Sequence, residues 1–186
     1  MKVLFDYAAF VLQARGGVSR VLFELFKSLS KQARLQCKLF AGFHCNQYIR
    51  EAPPELKKRI IGCYLPPNFV HPKLFFPINR VMFQLYAKWF NPDICHYTYF
   101  ETPKVPNNCK AVITVHDMIH EIFPETFSND NEHKRKQQAV HKADGIICIS
   151  DNTKKDLEKF IPLENKAVTV IHHGNNLVPT LWPNST

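Results

Sequence analysis

Between residues 93 and 173 one unit recurs: a short apolar run, then a polar stretch long enough for a helix. Residues 93–97, 110–116, 144–150 and 167–173 (the last reading AVTVIHH) have the composition of short buried strands. Between them, residues from about 131 to 142, and SDNTKKDLEKF at 150–160, have helical character, with Ser150 or Asp151 placed to cap the second. Strands that alternate with helices pair in parallel, because each crossover must carry the chain back across a face of the sheet. The expectation is an α/β fold: a doubly wound parallel sheet with helices on both faces.

The first half extends this pattern. Residues 3–5 form an apolar run closed by Asp6, consistent with a buried strand followed by a loop. In GGVSRVLFELFKSLSKQ, the residues Val18, Val21, Leu22, Leu25, Phe26 and Leu29 recur at helical spacing. Residues 35–43 and 59–65 are strand candidates, and Pro66-Pro67 ends the second. Residues 68–90 are the least regular, a loop and then a helix from about Pro77, since proline suits a first helical turn. One domain is expected over residues 1–175. Residues 176–186 form a linker or tail, whose sequon Asn184-Ser185-Thr186 has no secretory context around it.

Composition narrows the partners. Of 186 residues, 45% are hydrophobic and 22% charged, the balance of a globular chain and not of a disordered one. A net charge of +8 favours anionic partners: nucleotides, acidic lipid surfaces or nucleic acid. No recognition helix or aromatic RNA-binding motif accompanies that charge, so nucleic acid is not expected. The six cysteines are scattered without a C-x-x-C pair, which speaks against zinc sites and a disulfide framework and for a reduced, cytoplasmic setting. The opening MKVLFDYAAFVL is broken by Asp6 and lacks a cleavage site, so it reads as a strand and not as a leader. No apolar run is long enough to span a bilayer. Lys73, Phe75, Phe76, Arg80, Phe83 and Lys88 mix rings with cations, a combination suited to peripheral contact with an anionic membrane.

Ligands of open parallel sheets bind beyond the carboxyl ends of the strands, which ranks the candidate residues. Gly16 and Gly17 open a helix, where small residues and free amides admit a phosphate. His116, Asp117, His120 and Glu121 cluster in HDMIHE after a strand, where imidazole can bond a hydroxyl or move a proton. Tyr97 and Tyr99, in HYTYFETP, offer ring faces to a sugar or pack on the domain itself. His172, His173 and Gly174 follow the last strand. No G-x-G-x-x-G, P-loop, H-E-x-x-H or nucleophile elbow is present.

The stretches QARGGVSRVLFEL, AVITVHDMIHEIFPE, KADGIICISDNTKKDLEKF and VTVIHHG, in this order and spacing, resemble the N-terminal domain of family-four glycosyltransferases with the GT-B fold. The resemblance implies a Rossmann-like sheet that is one half of a GT-B architecture. It implies retaining transfer of a hexose, mannose for instance, from a nucleotide sugar to a saccharide or lipid-linked acceptor, as in polysaccharide biosynthesis. No metal or cofactor is implied beyond the nucleotide-sugar co-substrate. By position, Gly16 and Gly17 correspond to the loop near the donor phosphates, and His116 and Asp117 to the catalytic loop. Tyr97, Tyr99, His120, Ser150 and His173 would line the acceptor cleft. Enzymes of the family are about twice this length and carry a donor-gripping C-terminal domain, so the expected partner is such a half, without which transfer is not expected. The alternative is a non-catalytic binding or scaffolding subunit that pairs with a separate glycosyltransferase half.

Overall fold

The computed structural model describes residues 1–101, 104, 106, 108–127, 131–163 and 166–174. The expected tail at 176–186, with its sequon, lies outside them, as do Thr102 and Pro103 of the tyrosine loop.

In chain order the elements are β1 (Lys2–Phe5), α1 (Ala8–Leu12), α2 (Gly17–Leu29), β2 (Gln36–His44), α3 (Gln47–Arg50), α4 (Pro54–Lys57) and β3 (Ile60–Tyr64). They continue with α5 (Pro72–Phe90), β4 (Ile94–Tyr97), β5 (Lys110–Val115), α6 (Ile119–Ile122), α7 (Glu132–Lys142), β6 (Gly145–Cys148), α8 (Asp151–Phe160) and β7 (Ala167–Val170). The seven strands make one sheet in the order β3-β2-β1-β4-β5-β6-β7, and every neighbouring pair is parallel. The chain winds outward from β1 to β3, then returns through α5 to β4 on the other side of β1. That reversal is the switch point at which parallel sheets open a ligand crevice.

Strand alternation splits the core between the two faces. Val3 and Phe5 pack with Leu22, Phe23 and Phe26 of α2, Ile49 of α3 and Leu56 of α4. Leu4 points the other way, into a core shared by Phe83, Ala87 and Phe90 of α5, Val140 of α7 and Leu157 of α8.

The structure departs from the sequence reading in three places. Residues 8–12, read as loop, form α1, whose Ala8, Ala9, Phe10 and Val11 are buried at the carboxyl edge of the sheet. Helix α5 begins at Pro72, not near Pro77, and Pro77 lies inside it. Pro77 removes the backbone hydrogen bond that residue 77 would donate to the Lys73 carbonyl, and Phe75 against Phe43 and Phe76 against Tyr7 pin the first turns to the core. Those rings, with buried Phe83, therefore point inward, and of the expected cation-and-ring mixture only the cations Lys73, Arg80 and Lys88 are left exposed.

One clamp joins α5 to the sheet. The register of β2 shifts between Phe40 and Gly42, and Gly42 has φ +59. Fully buried Asn79 accepts the Phe43 N–H through Oδ1 (2.9 Å) and donates Nδ2 to the Phe43 carbonyl (3.0 Å). A Cβ on Gly42 would meet Asn79 Oδ1 at 2.3 Å, so glycine answers both the left-handed φ and the close approach.

Candidate functional site

The loops after β1, β4, β5, β6 and β7 all emerge at the carboxyl edge. At the switch point Asp6 is buried between the first two. Its Oδ1 accepts the Thr98 N–H (2.8 Å), the Thr98 hydroxyl and the Ala8 N–H (3.3 Å), and its own N–H donates to the His96 carbonyl. Desolvation outweighs these donors and pushes its carboxyl up to about 7. In the sequence Asp6 reads as a strand terminus and as a break in the apolar opening, not as a site residue. Its signal was a lone acid closing the first apolar run at the switch point.

Gly16 is the extended N-cap of α2, and its hydrogen side is filled by Gln13. The Gln13 Oε1 accepts the Ser19 N–H (3.0 Å), satisfying the third amide of the helix. A Cβ on Gly16 would lie 2.3 Å from that oxygen, whereas one on Gly17 would meet nothing. Exposed Gly17 and half-buried Val18 form the first two positions of the helix, at its positive end.

His116 ends β5. Burial, reinforced by His173, pulls its imidazole down to about 4, so the ring is neutral at physiological pH. Its Nε2 is enclosed without a partner among the described residues. The exposed His173 ring lies 5.6 Å away, bringing the loop after β7 across β6 to the end of β5. Beside them Ser150, and not the alternative Asp151, caps α8: its Oγ accepts the Thr153 N–H (3.1 Å). The Thr153 hydroxyl in turn reaches the His116 carbonyl at 3.5 Å. His172 Nδ1 meets the Ile149 carbonyl at 3.2 Å.

Asp117 and Glu121 are held from below by Lys136, on a helix whose composition reads only as polar. Lys136 is fully buried. Its Nζ donates to Glu121 Oε2 (2.8 Å) and to the Asp117 carbonyl (3.0 Å), and sits 5.2 Å from the Phe100 ring centre. One turn earlier on α7, Glu132 accepts the Tyr99 hydroxyl (2.8 Å) and approaches His120 Nδ1 at 3.7 Å. The inward face of α7 is therefore polar at its start and apolar at Ala139 and Val140, and it ties the β4 and β5 loops together. Its signal was Lys136 in helical register with that apolar pair.

The remaining candidates separate. Tyr97 is buried with its ring edge-on to Phe83, and its hydroxyl accepts the Lys104 N–H, so neither face is open to a sugar. Its side chain falls on the face of β4 that packs against α5, which decides this. Tyr99 is half-buried in the loop. His120 packs at a tilt against Phe127, ring centres 4.3 Å apart, and, with Glu121, His133, Gln137 and Phe160, lines a cavity of about 410 Å³ between α6, α7 and α8. Among the described residues no three His, Cys, Asp or Glu side chains converge as a metal site.

A family model described as Glycosyltransferase Family 4 matches residues 15–177. The chain belongs to that family. No curated protein matches it. The family-4 match takes in every strand from β2 to β7 and all the carboxyl-edge candidates except Asp6, which lies ahead of it. The seven-stranded parallel sheet is the Rossmann-like half of a GT-B architecture.

Proposed function

We propose that this domain works as the acceptor side of a retaining hexosyltransferase that draws on a nucleotide sugar and serves a saccharide or lipid-linked acceptor. The reading rests on one arrangement: a neutral His116, paired with His173, on a loop anchored by Lys136, at the same sheet edge as the open start of α2. A diphosphate at Gly17 and Val18 meets helix amides whose partial positive charge suits it. A neutral imidazole bonds a sugar hydroxyl without placing a competing cation beside the developing positive charge of a departing glycosyl group. Asp117, about half exposed, keeps Oδ1 on the Ile119 N–H and offers Oδ2 to an acceptor hydroxyl. Six unpaired cysteines suit a reducing cytoplasm.

The complementary half of the GT-B pair would grip the donor, so the chain alone should bind nucleotide sugars weakly and transfer essentially none. Titrating nucleotide sugars into the ¹⁵N-labelled chain tests the binding. Shifts should concentrate at Gly17, Val18, His116 and His173, and their absence there would sink the assignment. With a complementary half supplied, His116→Ala should cut transfer about 100-fold or more. Robust turnover by the purified chain alone would refute the division of labour.

A further inference from the structure

Helix α5 buries one side and leaves the opposite side apolar. Asn79, Phe83, Ala87 and Phe90 face the core, while Leu74, Ile78, Val81, Met82, Leu85 and Trp89 are exposed, the last two at 65% and 77%. At 3.6 residues per turn these six fall within an arc of about 100° and run about 22 Å along the axis. The Phe69 ring, also exposed, stands just ahead of the helix. Single exposed apolar side chains are ordinary; a continuous stripe marks a contact surface.

Charge selects the partner. From Pro67 to Phe90 the sequence has no Asp or Glu and three cations, Lys73, Arg80 and Lys88. Arg80 is engaged by Glu101 at 2.6 Å, but Lys73 and Lys88 are exposed and lie on the same flank of the stripe. A second copy of a chain carrying +8 would bring like charges together at such a face. An acidic bilayer satisfies both features: apolar side chains enter the acyl boundary while the lysines extend to lipid phosphates. Among the described residues no helix is long and apolar enough to cross a membrane, so α5 would lie on the surface.

We propose that the outward face of α5 docks this domain on an anionic lipid bilayer. Because α5 leads into the amino end of β4, its Leu74 end lies toward the carboxyl edge of the sheet. A bilayer along the helix therefore reaches the carboxyl edge of the sheet, and a lipid-linked substrate would approach that edge without leaving the interface. The surface stands whether or not that edge binds a nucleotide sugar.

Sedimentation of the 186-residue chain with vesicles tests it, using phosphatidylcholine alone and phosphatidylcholine mixed with phosphatidylglycerol. The chain should partition at least about tenfold more strongly onto the anionic vesicles, and less as salt rises. L85Q/W89Q should lower partitioning by about tenfold or more, and K73Q/K88Q should remove the anionic preference. These positions are exposed, so circular dichroism should be unchanged. With Trp182→Phe in place, Trp89 emission should shift to the blue on anionic vesicles. A chain that stays in the supernatant with both vesicles overturns the proposal, as does binding indifferent to L85Q/W89Q. A dimer that L85Q/W89Q splits, without vesicle binding, assigns the face to a second copy and overturns it too.

Discussion

Replacing Lys136 by Met keeps most of the side-chain volume and removes the charge from a position with no exposure to solvent. Two partners lose their donor at once. Glu121, 2.8 Å away and one-tenth exposed, is left as a carboxylate facing a methyl group, and the Asp117 carbonyl loses its 3.0 Å bond. Removing one member of a buried ion pair costs about 3–5 kcal/mol, because the survivor stays desolvated and uncompensated. In a chain of this length that lowers Tm by about 6–20 °C. The asymmetry is the sharper test. K136M/E121L removes both charges and should recover most of the loss, since apolar replacement of a whole buried pair is often neutral or better. Urea melts of wild type, K136M, E121L and the double variant close the cycle. Native-state hydrogen exchange should report K136M as faster opening at residues 117–121, ahead of the strands. A K136M loss below about 1 kcal/mol, or two single losses that simply add, would refute the view that this pair holds the loop.

Three further outcomes are expected. His44, His96 and His116 are each held near 4 by burial, below the ordinary 6.5, so each contributes stability present above 6.5 and lost as pH falls toward 4. Asp6, raised from 3.8 to about 7, acts oppositely: its contribution is complete below 3.8 and lost as pH rises through 7. Near pH 5 the net is about two protons taken up on unfolding, so stability should rise by about 3 kcal/mol per pH unit. Asp6→Asn should steepen that slope, and urea melts at pH 5 and 6 that show no slope would refute the burial argument. Gly42→Ala should destabilise by about 2–4 kcal/mol, from the positive φ and from displacing the Asn79 clamp, read from the chemical midpoint. Gly16→Ala should cost more in the wild-type chain than beside Gln13→Ala, because the three atoms nearest a Cβ on Gly16 all belong to Gln13; equal costs would show that the cap does not set the glycine.

The alternation of apolar runs with helical stretches was enough to assign an α/β fold with a parallel sheet, and the carboxyl-edge rule located the loops worth examining. The cap of α8 was legible to within one residue, Ser150 or Asp151, since a helix N-cap engages an amide only three residues away. These readings succeed because period and capping are local, carried by residues that touch along the chain itself. Tertiary structure alone decided which polar residues serve the interior. Lys136 meets partners 15 and 19 residues back, Asn79 clamps a strand 36 residues away, and Asp6 receives Thr98 across 92 residues. Spacing carries no trace of such pairings, because a buried charge or amide is stable only where distant chain happens to supply its donors. For the same reason Tyr97 and Tyr99, alike in one loop motif, part company: one ends a strand inside the core, the other reaches Glu132 from a loop. The outward stripe of α5 belongs with them, since the same periodic residues would be core or surface until the sheet chose which face of the helix to cover.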